Sequence, residues 1–154
     1  MYIWNINALV TALRENTLSE KQKKNYQITF WILTALTILS FSIVISPSTM
    51  NTYDLIDLIC FLAINAVGIY ILFQIHKKGH KKDFFLPFFS LTIPIFLRTT
   101  LLSIGMNIVG YSYILFFAPY HSMEETNLID IIISIIVEVI FNMMMIHYFK
   151  RIYN

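Results

Sequence analysis

Four polar side chains interrupt an otherwise apolar run near the C-terminus: Asp130, Ser134, Glu138 and Asn142, between Leu128 and Ile146. Their spacing of four rotates each by about 40° from the last on an α-helix, which lays all four along one ridge. Hydrocarbon offers no hydrogen bonds, so such a ridge must face protein or water. Arg98 is the cation inside another apolar stretch, and Glu138 is the central anion. Counted along helices, Arg98 lies past Asp83 by about 22 Å and Glu138 before Lys150 by about 18 Å. An unpaired charge at mid-membrane costs about 3 kcal/mol or more. Arg98 and Glu138 are therefore expected to pair, with Asn65 at similar depth completing the hydrogen bonds. Pro94 removes a backbone donor one turn before Arg98, which predicts a kink there. The pair reads either as glue between helices or as a gate, proton site or sensing element.

Other chemistry is sparser. His76 and His80 are four apart, a zinc-compatible spacing on a helix, but Gly79 and the flanking lysines argue against a metal. Lys77, Lys78, Lys81 and Lys82 form a basic segment suited to anionic lipid headgroups or a cytoplasmic partner. A net charge of +2 argues against nucleic-acid binding driven by overall charge. No nucleophile elbow, zinc-protease motif or phosphate-cradling glycine loop is present, so neither a catalytic residue nor a cofactor is assigned. A single cysteine, Cys60, excludes an internal disulfide framework.

The elements that must position these residues follow from composition. Of 154 residues, 57% are hydrophobic and 13% charged, against about 25% charged in soluble domains. A membrane-spanning helix needs about 20 mostly apolar residues. Such stretches run over 26–45, 55–75, 84–105 and 128–148. Ser46-Pro47-Ser48 ends the first, and the basic segment after Ile75 ends the second. Lys and Arg cluster in the N-terminal 25 residues, in 76–83 and in the tail 149–154. The 46–54 and 106–127 connections hold none. The positive-inside rule then places both termini and the 76–83 loop in the cytoplasm. The expected fold is all-α: a bundle of four transmembrane helices (26–148) preceded by a cytoplasmic amphipathic segment (1–25).

Within that segment, Ile6, Leu9, Val10 and Leu13 recur at helical spacing among polar residues, which predicts a short helix lying on the membrane face. Ser19-Glu20-Lys21-Gln22 reads as a capping box opening the next helix. Gly105 and Gly110 are expected to end the third span, leaving 106–126 as an aromatic, partly interfacial cap.

Lys82-Asp83-Phe84-Phe85, with Leu91, Pro94 and Arg98, resembles the third-span pattern of small four-span bacterial membrane proteins, departing from it at Leu86-Pro87. With the helix count, the chain resembles the membrane subunit of the Kiwa antiphage system. The resemblance implies a homo-oligomeric, non-enzymatic sensor in the bacterial inner membrane that signals to a cytoplasmic effector, with the 76–83 loop as docking point. Two other classes remain open: an immunity protein against a pore-forming toxin, and an oligomeric ion channel or transporter lined by Glu138, Arg98 and Asn142.

Overall fold

A computed structural model describes residues 2–44, 50–79, 83–117 and 126–153. Five helices follow one another: α1 (Ile6–Arg14), α2 (Glu20–Val44), α3 (Thr52–Lys78), α4 (Phe85–Phe117) and α5 (Leu128–Tyr153). Among the described residues, α3, α4 and α5 are long and apolar enough to cross a membrane. Their outward faces carry Leu, Ile, Val and Phe side chains in the open, such as Ile59, Leu62, Val67, Leu101 and Ile104. That distribution suits hydrocarbon and is unfavourable in water.

The helices form a row rather than a closed bundle. Contacts run α2 to α4, α4 to α5 and α5 to α3, and α1 sits on α4 and α5. The α2–α4 contact is aromatic: Phe30 stacks on Phe89 at 4.3 Å between centroids and meets Phe88 edge-on at 5.8 Å. α3 and α5 run parallel, since Asn65 bonds Glu138 near mid-helix and Asp54 bonds Thr126 just before α5 begins. α4 is antiparallel to α5: Tyr111 bonds Asp130 at one end, and Phe84, just before α4, meets Phe149 at the other. The start of α2, the ends of α3 and α5 and the start of α4 therefore gather at one basic end.

The main core lies at that end. It joins Ile6, Leu9, Val10 and Leu13 of α1 to Leu91 and Ile95 of α4 and to Met145, Phe149 and Ile152 of α5. The amphipathic periodicity of the N-terminus is borne out as a helix, but its apolar face turns into the protein and not onto lipid. Leu9 is fully buried. Each such side chain removed from water is worth about 1.5–3 kcal/mol, a gain available only once α4 and α5 together present an apolar seat. Asn5 caps α1 by accepting from the Ala8 N–H at 3.0 Å. Asn16, at φ 59°, makes the left-handed turn into α2, a conformation Asn tolerates better than most residues. The expected capping box is present: Ser19 Oγ accepts from Gln22 N–H at 3.3 Å, and Gln22 Oε1 accepts from Ser19 N–H at 3.1 Å. α2 thus starts where the box predicts and runs on into the stretch expected as the first span.

Three further expectations are corrected. The third span does not stop at Gly105; α4 continues through Gly105 and Gly110 to Phe117. Glycine lowers helix propensity in water, but an unpaired backbone group in hydrocarbon costs more, so the helix persists. Asn107 and Ser112 also donate side-chain bonds back to the Ser103 and Ile108 carbonyls. Gly110 has a packing role as well, because a Cβ there would stand 2.9 Å from the Ile129 side chain. The last helix does not end at 148; α5 continues through the expected tail to Tyr153, whose hydroxyl donates to the Asp83 carbonyl and whose ring would meet any side chain at Gly79. Lastly, an open row stands where a bundle is expected. The loop expectations for 46–49, His80, Lys81, Lys82 and 118–125 lie outside the described residues.

Candidate functional site

The polar residues inside the apolar helices converge on the α3–α5 seam. Asn65 Nδ2 donates to Glu138 Oε2 at 2.9 Å, and Asn142 Nδ2 donates to Asn65 Oδ1 at 3.3 Å. Asn65 also donates to the Phe61 carbonyl at 2.9 Å and Asn142 to the Glu138 carbonyl at 3.0 Å. Gly68 makes this possible. A Cβ built at Gly68 would collide with the Asn142 amide, so the missing side chain is the room in which Asn142 sits. Close approach at a small residue is how helices associate where no hydrophobic force separates protein from lipid.

The expected partnership of Asn65 with Glu138 is present; that of Arg98 with Glu138 is not. Arg98 Nη2 donates to the Trp4 carbonyl at 2.6 Å, and the ion pair found among the described residues joins Lys23 to Glu20. Arg98 lies roughly midway between the Tyr111 and Phe84 contacts, and so near the middle of α5. Direction, more than depth, separates the charges. A helical Cα–Cβ bond tilts toward its own N-terminus. On antiparallel helices Arg98 therefore leans toward the basic end while Glu138 leans away from it. On the parallel α3, Asn65 leans the same way as Glu138, and the two meet.

The four-residue ridge on α5 is shared between two neighbours. Asp130 accepts from the Tyr111 hydroxyl of α4 at 3.0 Å, whereas Glu138 and Asn142 face α3. A drift of about 40° per step accumulates to about 120° across the ridge, enough to pass from one helix to the next. Ser134 is half-buried between them. At the same end, Asn51 and Asp54 form a reciprocal cap on α3, and Thr126 donates to Asp54 at 2.5 Å. Asp57, one turn further along α3, has a buried oxygen without a hydrogen-bond partner among the described residues.

At the basic end, Lys77 and Lys78 are exposed on the last turn of α3. His76 is packed edge-on against Phe84 at 5.4 Å and Tyr153 at 5.3 Å, inside an aromatic cluster. No group of three or more His, Cys, Asp or Glu suited to a metal occurs among the described residues. Pro94 is buried inside α4, and Ser90, one turn earlier, has a buried hydroxyl without a partner. The attachment of the N-terminal segment is what residue-by-residue reading missed. Arg98 holds Trp4, Arg151 Nη1 donates to Asn7 Oδ1 at 2.6 Å, and the Tyr2 N–H donates to the Tyr26 hydroxyl at 2.6 Å. A signal was available: an apolar helical face ending next to polar acceptors, beside spans carrying unmatched arginines. Comparison of the chain with protein-family models, curated proteins and solved structures finds no match in any of the three.

Proposed function

We propose that this chain is a non-enzymatic, four-span protein of the bacterial inner membrane, with α2 as the fourth span and both termini and the 76–83 segment cytoplasmic. In this reading it is the membrane subunit of a defence system, self-associating, that reports disturbance of the bilayer to a soluble cytoplasmic partner. The observation that carries the signalling part is the fastening of α1. Arg98 comes from the middle of α4 and Arg151 from the end of α5, and both grip the same short segment of chain. A shift of α4 against α5 within the bilayer would change the seat of α1 at the basic end, where a soluble protein can read it. The charge distribution supports the orientation. The α4–α5 groove supports lipid sensitivity: it is an open groove of about 530 Å³ whose walls, including Leu101, Gly105, Val109 and Ile132, are apolar.

Conduction by one copy is a poorer fit, because the described helices form a row with no central channel, and the polar side chains of the α3–α5 seam bond to one another. The test is affinity purification from native membranes in mild detergent. Native chain is compared with a variant in which Lys77, Lys78, Lys81 and Lys82 are replaced by Ser. A soluble partner recovered with the native chain and lost from the variant is the expected result; equal recovery removes the docking assignment.

A further inference from the structure

α2, α3 and α5 change the character of their exposed side chains at one level. Trp31, Tyr70 and Met143 stand in the open at 56%, 64% and 64% exposure. Seven residues nearer the basic end, about 10 Å along each helix, the exposed side chain is Lys24, Lys77 or Lys150. Ring contacts align the helices. Trp31 meets Phe89 at 6.0 Å between centroids and Phe73 meets Phe84 at 5.1 Å, which sets Trp31 and Tyr70 within about 3 Å in height. Gly68 against Asn142 does the same for Tyr70 and Met143. On α3 every exposed side chain between Tyr53 and Tyr70 is aliphatic, a distance of about 26 Å against about 30 Å of hydrocarbon. Toward the basic end apolar side chains are packed away: Leu72, Met145, Phe149 and Ile152 are in the core. α1, seated on that core, exposes Asn7, Thr11 and Arg14. The N-terminal segment is tied to Arg151 and Tyr26, both on the lysine side of the level, and a third bond, from Arg98 to Trp4, reaches it from further in.

We infer that the cytoplasmic edge of the hydrocarbon crosses the row at Trp31, Tyr70 and Met143, and that α1 with the helix ends beside it forms a folded head outside the hydrocarbon. Apolar letters alone carry these spans on to residues 26, 75 and 148, five residues further on each helix, or about 8 Å. The excess is apolar because it is the inside of the head. Hydropathy does not distinguish a side chain that faces lipid from one packed in a core that water surrounds, whereas exposure does. Exposed tryptophan and tyrosine settle at the interface. The headgroup layer beyond it is about 5–8 Å thick, so the three lysines stand at its far side, drawn by lipid phosphates. Ile28, Phe73 and Phe85, exposed one turn beyond the level, fall within that layer. The polar outer face of α1 would lack hydrogen-bond partners in hydrocarbon and finds them among headgroups and water. The inference rests on the membrane-spanning reading and names the surface that a soluble partner meets: α1 on its seat.

The test uses full-length chain carrying Trp4→Phe, so that Trp31 is the only tryptophan, reconstituted in phosphatidylcholine–phosphatidylglycerol vesicles. Lipids brominated at different acyl-chain positions report its depth by quenching. Trp31 is expected about 15 Å from the midplane, half the hydrocarbon thickness. A depth of about 7 Å, where a span beginning at residue 26 would hold it, overturns the inference. A second measurement uses single cysteines in a Cys60→Ser background, Thr11→Cys on the outer face of α1 and Val67→Cys on the exposed face of α3. Vesicles are opened by freeze–thaw so that a charged, impermeant maleimide meets both faces. Thr11→Cys should label and Val67→Cys should not, while both react after solubilisation in dodecyl sulfate. Protection of Thr11→Cys in the vesicles overturns the head. Labelling of Val67→Cys there overturns the spanning reading, whereas Val67→Cys protected with Trp31 at about 7 Å overturns this inference alone.

Discussion

A double-mutant cycle separates the two possible partners of Glu138. The perturbations are Asn65→Ala, Glu138→Ala and Arg98→Ala, singly and in the two pairs that include Glu138. The Asn65–Glu138 bond is 2.9 Å long and links neighbouring parallel helices. Hydrogen bonds to charged groups contribute about 1.5–3 kcal/mol in soluble proteins. Inter-helix bonds in membranes average about 0.6 and reach about 1.7 kcal/mol, because the unfolded chain finds other partners in lipid. A coupling of about 1–1.7 kcal/mol is therefore expected for Asn65 with Glu138. Arg98 ends on Trp4 and shares no hydrogen-bond partner with Glu138, so their coupling should stay below about 0.5 kcal/mol. Reversible unfolding in mixed micelles of rising dodecyl sulfate fraction, followed by tryptophan fluorescence, measures both. Coupling between Arg98 and Glu138 equal to or larger than that between Asn65 and Glu138 would refute the divergence of the two side chains.

The two α4 and α3 glycines should respond in opposite senses. Gly68→Val drives carbon into the space of the Asn142 amide and should cost about 1–3 kcal/mol, whereas Gly105→Ala meets nothing within 4 Å and should gain up to about 1 kcal/mol; thermal unfolding in detergent compares them. Leu9→Ala empties a fully buried position between α1 and its seat on α4 and α5, with an expected loss of about 2–5 kcal/mol and faster proteolysis of the N-terminal segment. Ser19→Ala removes one half of the reciprocal cap on α2. Its cost should be about 0.5–2 kcal/mol, read as faster hydrogen exchange at Gln22 and Lys23.

The polar residues worth attention were legible as letters, because a carboxylate or guanidinium among isoleucines stands out without any fold. Their partners were less so. Asn65 could be matched to Glu138 by depth, and the match held because α3 and α5 point the same way. The same depth argument failed for Arg98, since α4 points the other way and a side chain of several bonds follows its own helix direction. The α5 ridge was legible as a stripe, but a stripe that drifts cannot say where one neighbour ends and the next begins; Asp130 went to α4 and Asn142 to α3. The extension of α4 past Gly105 was illegible for a different reason. Glycine is read as punctuation by a rule learned in water, and the solvent inferred for this chain removes the alternative of a hydrated break.

Composition and charge order determined the class of molecule: an all-helical chain whose apolar stretches are long enough to span a bilayer, with every Lys and Arg except Arg98 outside those stretches. These are local properties, set by backbone hydrogen bonding and by the transfer energy of each side chain, and they need no knowledge of neighbours. Which helix lies beside which was decided only by tertiary structure. The row order α2–α4–α5–α3 depends on where a missing Cβ admits a facing side chain, as Gly68 admits Asn142 and Gly110 admits Ile129. The seat of α1 likewise exists only when α4 and α5 are already together. Contacts of this kind join residues up to 144 positions apart, and no local pattern carries the relative direction of two helices, on which every such contact depends.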